Sequence, residues 1–217
     1  MTKFARTTTA AAFVALLILG AQAVASASPK ATTCHGTLRP GTYHRVVVPE
    51  DATCTSRGPV IIRAGLLIQP GATFVLGSEE SPGSTGRIGG GVRATDPRSV
   101  QIHFATINGG IQVHGGSGPF GGPFDVTWNA IEDNRINGGA TIEGYNGFWF
   151  GFIRNSVNGS VNLNHNVLAD PDGNEYVTNT IRGNLNCTGN SPAPQVGDSE
   201  GSPNKVTGRK TGQCAHL

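Results

Sequence analysis

The feature that most constrains this chain is a short glycine-containing signature that recurs along it. Each occurrence has an aliphatic residue, a variable residue, Gly, a small or polar residue and a second apolar residue. The first residues are Ile88, Ile107, Ile136, Val157 and Ile181, and Val206 begins a sixth, incomplete occurrence. Spacings of roughly 20 to 30 residues are typical of stacked supersecondary units. Each unit is therefore predicted to form one coil of a β-solenoid.

The residues around the signature align in columns when the units are stacked on their first residues. The positions four and six residues later are apolar in every unit, whereas the position five residues later is polar. That polar column reads Arg93, Gln112, Thr141, Asn162 and Asn186. Because alternate residues of a strand face opposite sides, the apolar columns should face inward and the polar column should face water. The chain has room for roughly six to eight such rungs.

Two further columns concern the corners of the coil. The Gly of the signature is expected to turn the strand sharply through a positive φ. Two residues before the first position, Asn134, Asn155 and Asn179 recur in three consecutive units. They are interpreted either as an internal ladder, in which each side-chain amide bonds those above and below, or as ordinary turn residues. Both interpretations place the rungs in register.

The N-terminal segment has the layout of a secretory signal. Lys3 and Arg6 precede an apolar run, Ala10–Ala21, which small residues follow. This run is too short to cross a bilayer, which takes about 20 apolar residues. Residues 1–27 are therefore expected to be a cleaved signal peptide. Residues 28–217 should form one secreted, extracellular domain without a membrane span.

The charge balance argues against several partners. Residues 1–27 hold two of the 16 Lys and Arg and none of the 14 Asp and Glu, so the mature chain has 14 of each and no net charge. No block of like charge occurs along the sequence. A surface that follows phosphates or adheres to membranes therefore has little support, and nucleic acid is not expected as a partner.

The four cysteines are expected to form two disulfides, because an even number in an exported protein favours pairing, with three connectivities open. The intervals from Cys34 to Cys54 and from Cys187 to Cys214 each resemble one coil. We therefore predict the pairs Cys34–Cys54 and Cys187–Cys214, which would clip the two ends of the coil. The alternative, thiolate ligation of a metal, lacks the CxxC spacing of such sites.

The glycine corners, the asparagine column and the ending formed by Ile181–Cys187 and Gly212-Gln-Cys214 resemble a known group. They are similar to the small secreted right-handed parallel β-helix proteins of Gram-positive actinobacteria, which share the pectate-lyase-like fold. The resemblance covers nearly all of residues 28–217. It implies an all-β, right-handed parallel β-helix and no established reaction. Larger relatives of the fold include pectate lyases and polygalacturonases, which suggests carbohydrate chemistry, although fold alone does not carry function.

One pair of residues is a candidate for catalysis. Seven residues after the first position, the column alignment sets His114 beside Glu143 on neighbouring rungs. A carboxylate beside an imidazole can raise the pKa of the imidazole toward working pH, as general acid and base chemistry requires. The pair would serve a polysaccharide lyase or a glycoside hydrolase. The alternative is a solvated contact between rungs, and the acidic motifs of polygalacturonases have no counterpart here.

A ligand-binding surface is predicted around Trp149. Five residues before the first position, an apolar column reads Ile102, Ile131, Phe152 and Tyr176 and should face inward. Alternation along the strand then places Trp149 outward. An exposed Trp can stack on sugar rings, while the polar side chains of Gln112, Thr141 and Asn162 contact hydroxyls. The alternative is a Trp packed beneath a neighbouring loop.

Asp170, Asp172 and Asn174 are candidate metal ligands, because they have the spacing of positions 1, 3 and 5 of a calcium loop. The template fails further on, where Ile181 occupies the position that requires a bidentate Glu. An ordinary Pro-Asp-Gly turn is the alternative. Apart from calcium, no cofactor is expected.

These observations together favour a noncatalytic protein of the cell surface or extracellular matrix that binds polysaccharide. A polysaccharide-cleaving enzyme is the first alternative. A self-associating rod is the second, because solenoid ends without good caps can stack on one another.

Overall fold

The computed structural model describes residues 30–78, 85–117, 128–196 and 201–217, so the expected signal segment, residues 1–27, lies outside it. Within these ranges the chain forms strands joined by turns, without a helix. No helix long and apolar enough to span a bilayer occurs in them either.

The first strands are β1 (Thr32–Thr33), β2 (Gly36–Thr37), β3 (Gly41–Val48), β4 (Thr53–Ser56), β5 (Val60–Ile68), β6 (Thr73–Leu76), β7 (Gly86–Ile88), β8 (Val92–Thr95), β9 (Ser99–His103), β10 (Ala105–Ile107), β11 (Ile111–His114) and β12 (Trp128–Glu132). The remaining strands are β13 (Arg135–Ile136), β14 (Ala140–Glu143), β15 (Asn146–Gly147), β16 (Trp149–Ile153), β17 (Ser156–Val157), β18 (Val161–Asn164), β19 (Val167–Leu168), β20 (Asn174–Val177), β21 (Thr180–Ile181), β22 (Leu185–Thr188), β23 (Lys205–Val206) and β24 (Lys210–Gly212).

The strands wind as a parallel β-solenoid of about seven turns, which confirms the predicted all-β coil and its rung count. One sheet has fifteen strands, and the second sheet has seven, in the order β2-β4-β6-β9-β12-β16-β20. A third sheet has two strands, β15 and β19. Successive turns therefore stack in register, as the repeat requires.

The fifteen-stranded sheet changes shape along the coil. β3 and β5 run through it as long strands, and β5 pairs first with β7 and then with β8. In later turns the glycine signature divides the long strand into two. We call the part before the glycine turn the leading strand and the part after it the following strand. The leading strands are β7, β10, β13, β17, β21 and β23, and the following strands are β8, β11, β14, β18, β22 and β24.

The predicted columns are confirmed by the pairing. Ile111 pairs with Val92 on one side and with Ala140 on the other, while Ile131 pairs with Ile102 and Phe152. All six of these side chains are buried in one continuous core. Apolar side chains from both large sheets thus fill the coil interior, and burial of this kind is the main favourable term in folding.

The signature glycines allow close packing between turns, and the positive φ expected for them is wrong. At each of these glycines, an added Cβ would lie 1.8 to 2.8 Å from a backbone atom of the preceding turn: Gly90, Gly109, Gly138, Gly159 and Gly183. None of these five has a positive φ. The left-handed conformation occurs one residue later, at Gly91 and Gly110, with φ of 85° and 80°.

We expect Gly159→Ala to lower the free energy of unfolding by about 2 kcal/mol or more, because overpacking against rigid backbone costs about 1–3 kcal/mol. The new Cβ would lie 2.7 Å from the carbonyl carbon of Gly138. Urea denaturation measures the effect. Asn158→Ala, at the exposed neighbouring position, is the control and should change stability by less than about 0.5 kcal/mol. Equal stability of the two variants would show that the turns are not in tight contact.

Both predicted disulfides are present. Cys34 pairs with Cys54 at a Cα–Cα distance of 5.6 Å, and Cys187 pairs with Cys214 at 5.2 Å. No cysteine of the chain is free. Each bridge joins residues about one turn apart, so the two ends of the stack are covalently closed.

The internal asparagine ladder is confirmed, and Asn204 extends it by a fourth member. The side-chain oxygen of Asn155 accepts hydrogen bonds from the backbone and side-chain nitrogens of Asn134, both at 3.1 Å. The side-chain nitrogen of Asn155 donates to the carbonyl of Ile131 at 2.7 Å and to the side-chain oxygen of Asn179 at 3.1 Å. The ladder therefore satisfies buried backbone groups at the corners that follow β9, β12, β16 and β20.

A second ladder, absent from the sequence predictions, lines the opposite corner. The side-chain oxygen of Asn166 accepts from the backbone nitrogen of Tyr145 at 3.0 Å, and that of Asn190 accepts from the backbone nitrogen of Asn166 at 3.0 Å. The side-chain oxygen of Gln213 continues the series to Asn190 at 2.8 Å. Burial raises the pKa of Tyr145, which lies in this column. The interior is thus polar at two corners and apolar between them.

Candidate functional site

The outward column of the following strands forms a continuous row of uncharged polar side chains. Its members are in register on adjacent strands and are here named the polar ladder: Gln112, Thr141, Asn162, Asn186 and Thr211. The side-chain nitrogen of Asn186 donates to the side-chain oxygen of Asn162 at 2.8 Å, and the Thr211 hydroxyl donates to the side-chain oxygen of Asn186 at 2.6 Å. These contacts hold amide and hydroxyl groups at the spacing of the strands, facing away from the core.

His114 and Glu143 are in register on β11 and β14, as the column alignment predicted. Both residues are exposed. On the next turn, Nδ1 of His165 lies 4.0 Å from the Glu143 carboxylate, and the side chains of His165 and Glu143 are 62% and 48% exposed. Because water reaches both His165 and Glu143, this arrangement corresponds to the alternative of a solvated contact between rungs.

Trp149 lies on the second sheet, so the structure does not bring it together with Gln112, Thr141 and Asn162. It is half-buried on the outer side of β16, opposite the buried side chain of Phe152. A Cβ on Gly151 would be 2.3 Å from the Trp149 ring. The indole therefore rests on the backbone at Gly151, and the predicted combination of a stacking Trp with the polar ladder is not formed.

A group of titratable side chains on the outer side of the second sheet was not predicted as a site. We name it the carboxylate cluster: His103, Glu132, Asp133 and Arg154. The Arg154 guanidinium contacts Asp133 through two hydrogen bonds of 2.8 and 2.9 Å and Glu132 through one of 3.1 Å. The nearest imidazole nitrogen of His103 lies 3.9 Å from the Glu132 carboxylate, and both side chains are almost fully buried.

The geometry of Asp133 explains why two adjacent carboxylates reach one arginine. On a regular strand only one of Glu132 and Asp133 could face outward, because neighbouring residues face opposite sides of a sheet. β12 ends at Glu132, however, and Asp133 has a φ of 55°, so it lies in the corner rather than in the strand. Asp133 and Arg154 lie at equivalent positions of neighbouring turns, three residues before the first residue of the signature, and they form an ion pair.

The predicted calcium ligands do not converge. Asp170 and Asp172 form a turn in which the backbone nitrogen of Asp172 donates to the Asp170 side chain at 3.0 Å. Asn174 is buried inside the coil, where its side-chain oxygen accepts a hydrogen bond of 2.5 Å from the Tyr176 hydroxyl. Within the described ranges no group of three or more His, Cys, Asp or Glu residues is arranged to hold a metal ion. The ordinary turn is therefore what the structure contains at this position.

Comparison of the chain with protein-family models, with curated proteins and with solved structures finds no match.

Proposed function

We propose that this protein is an exported, noncatalytic β-solenoid of the cell surface or extracellular matrix that binds polysaccharide through the polar ladder. The observation that carries the proposal is the in-register row of amide and hydroxyl groups from Gln112 to Thr211 on one sheet, in which Asn162, Asn186 and Thr211 are joined by hydrogen bonds. Sugar hydroxyls are both donors and acceptors, and side-chain amides match them in the same way. Side chains already held by their neighbours lose little further freedom on binding.

The test is retention of the purified protein on a panel of immobilised polysaccharides, with release of shortened or unsaturated products measured in the same wells. We expect retention without products. Asn162→Ala with Asn186→Ala should lower the affinity about fivefold or more, since the two lost side chains contribute roughly 1 kcal/mol in all to hydrogen bonding. Trp149→Ala is the comparison, because it alters the other sheet and should leave the affinity within about twofold.

The result separates the two candidate faces. If Trp149→Ala abolishes retention and the double asparagine variant does not, the ligand binds the second sheet and the polar ladder is excluded as its site. If the protein is retained on no polysaccharide, the proposed binding function is wrong.

Polysaccharide cleavage is a second candidate, favoured by the buried carboxylates of the second sheet. Glycoside hydrolysis usually takes two carboxylates. Glu132 on β12 and Glu175 on β20 are both buried on the outer side of the second sheet, two turns apart with β16 between them. Gly151 of β16 pairs with Glu175, and a Cβ on Gly151 would lie 2.9 Å from the Glu132 carboxylate. Products in the same assay that disappear with Glu132→Gln would establish this function and overturn the noncatalytic one. Products that disappear with Glu143→Gln would instead assign catalysis to the pair of His114 and Glu143.

A further inference from the structure

The charges of this protein are segregated around the coil, although the mature sequence is neutral. The strands of the fifteen-stranded sheet and the glycine turns between them contain a single carboxylate, Glu143. The same segments contain nine basic residues, which we name the cationic face: Arg45, Arg63, Arg87, Arg93, Arg135, Arg182, Lys205, Arg209 and Lys210. The other described carboxylates lie on the second sheet and in the turns next to it.

The cationic face follows the long axis of the coil. On the leading strands, pairing places Arg87, Thr106 and Arg135 in one column that continues to Lys205. On the following strands, Arg93 stands directly before Gln112 at the head of the polar ladder. With strands about 4.8 Å apart, Arg87 and Arg135 are about 10 Å apart, and the whole face from β3 to β24 is about 34 Å long.

Among the described residues, no side-chain carboxylate forms an ion pair with the cationic face. The Arg ion pairs there involve Arg98 and Arg154, and the carboxylate contacts of His103 and His165 lie elsewhere. Within the face, the Lys210 ammonium donates to the main-chain oxygen of Leu217. Eight of the nine side chains are exposed and the ninth, Lys210, is half-buried. A guanidinium in this state presents paired donors that match the two oxygens of a carboxylate.

We infer that the cationic face binds an anionic polysaccharide, with the polymer lying along the coil axis beside the polar ladder. The inference rests on the proposed polysaccharide binding and adds the charge of the ligand. A linear polymer with a carboxylate on every one or two sugars suits cations that recur every second or third strand. Single-stranded nucleic acid fits less well, because the outward columns and glycine turns from β7 to β24 hold no Phe, Tyr or Trp side chain on which bases could stack.

The test compares the affinity of the purified protein for a polyuronate with its affinity for the same polymer after chemical reduction of its carboxyl groups. We expect the polyuronate to bind more tightly at low salt and to lose this advantage as salt screens the charges. Arg87→Gln with Arg135→Gln should weaken polyuronate binding about fivefold, since an exposed ion pair contributes about 0.2–1 kcal/mol. Affinity for the reduced polymer should remain within about twofold.

A charge-matched control separates the face from the net charge. Lys30→Gln with Arg39→Gln removes two exposed cations elsewhere and should leave polyuronate affinity within about twofold. Equal weakening by both double variants would overturn the inference, as would equal affinity for the polyuronate and its reduced form. Binding of double-stranded DNA as tight as that of the polyuronate would also overturn it.

These outcomes are distinct from those of the proposed function. If the reduced polymer binds through Asn162 and Asn186 while carboxylates add nothing, the inference fails and the proposed function stands. If neither polymer binds, both fail.

Discussion

Asn155→Ala is expected to lower the free energy of unfolding by about 4 kcal/mol, because each buried polar group left without its partner costs about 1–3 kcal/mol. The substitution removes the acceptor of the Asn134 backbone N–H and the donor to the Ile131 carbonyl, and it breaks the ladder between Asn134 and Asn179. Asn155 is 1% exposed, so the space left is enclosed by protein. Urea denaturation measures the loss. A loss of this size is a large part of the total free energy of unfolding of a domain.

The matched control is Asn158→Ala, the exposed asparagine three residues later in the same turn. It makes the same chemical change on the surface and should alter stability by less than about 0.5 kcal/mol. A loss below about 1 kcal/mol for Asn155→Ala would contradict the role given to the ladder, since it would mean that water or backbone movement satisfies the freed groups.

Cys187→Ser with Cys214→Ser is expected to destabilise the C-terminal end by about 3 kcal/mol, since the bridge closes a loop of 27 residues. The Cys187 side chain is buried in the core and anchors β24 to β22. Each turn contacts only its neighbours, so the loss should remain local. Amide hydrogen exchange should show faster exchange in β22, β23 and β24 and little change in β6 and β9.

The pair Cys34→Ser with Cys54→Ser provides the mirror-image experiment at the other end. It should accelerate exchange in β2 and β4 and leave β22 protected, because the bridge joins the first turns of the stack. Uniform acceleration in every strand from either pair would show that the coil unfolds as one cooperative unit, contrary to the expected fraying of its ends.

The columns of the coil could be predicted from sequence because they depend on two simple periods. Alternation along a strand gave the inward positions, and the recurrence of the glycine signature set the offset between turns, so that Ile111, Ala140 and Val161 were aligned correctly. The same alignment placed His114 beside Glu143. Contacts between equivalent positions of neighbouring units can thus be predicted from the sequence.

Features that break the regular alternation could not be predicted in this way. Asp133 leaves the strand through a left-handed conformation, and Asn174 turns into the coil, where it bonds Tyr176. Trp149 was placed correctly on the outer side of its strand, but the bend between β14 and β16 puts it on a different sheet from Asn162. The second ladder was missed because Tyr145 precedes Asn166 and Asn190 in its column and Gln213 joins at a different offset.

The segregation of charge was missed for a different reason. Residues 28–217 have no net charge, because a count along the sequence combines the nine cations of one sheet with the carboxylates that lie between them in the chain. Winding the chain sorts the two groups, because every turn contributes the same segment to the same side. Arg87 and Arg135 are 48 positions apart in sequence and yet occupy one column.

The asparagine ladder restricts how the length of this protein can vary. Asn134, Asn155, Asn179 and Asn204 occupy equivalent sites, each bonded to the one before, so a whole coil can be added or removed while every remaining amide finds the same neighbour. A gain or loss of a fraction of a coil inside a strand would leave an interior amide facing hydrocarbon. Extra residues are accommodated only in the connections outside the core, and rod length changes in steps of about 4.8 Å, the thickness of one strand.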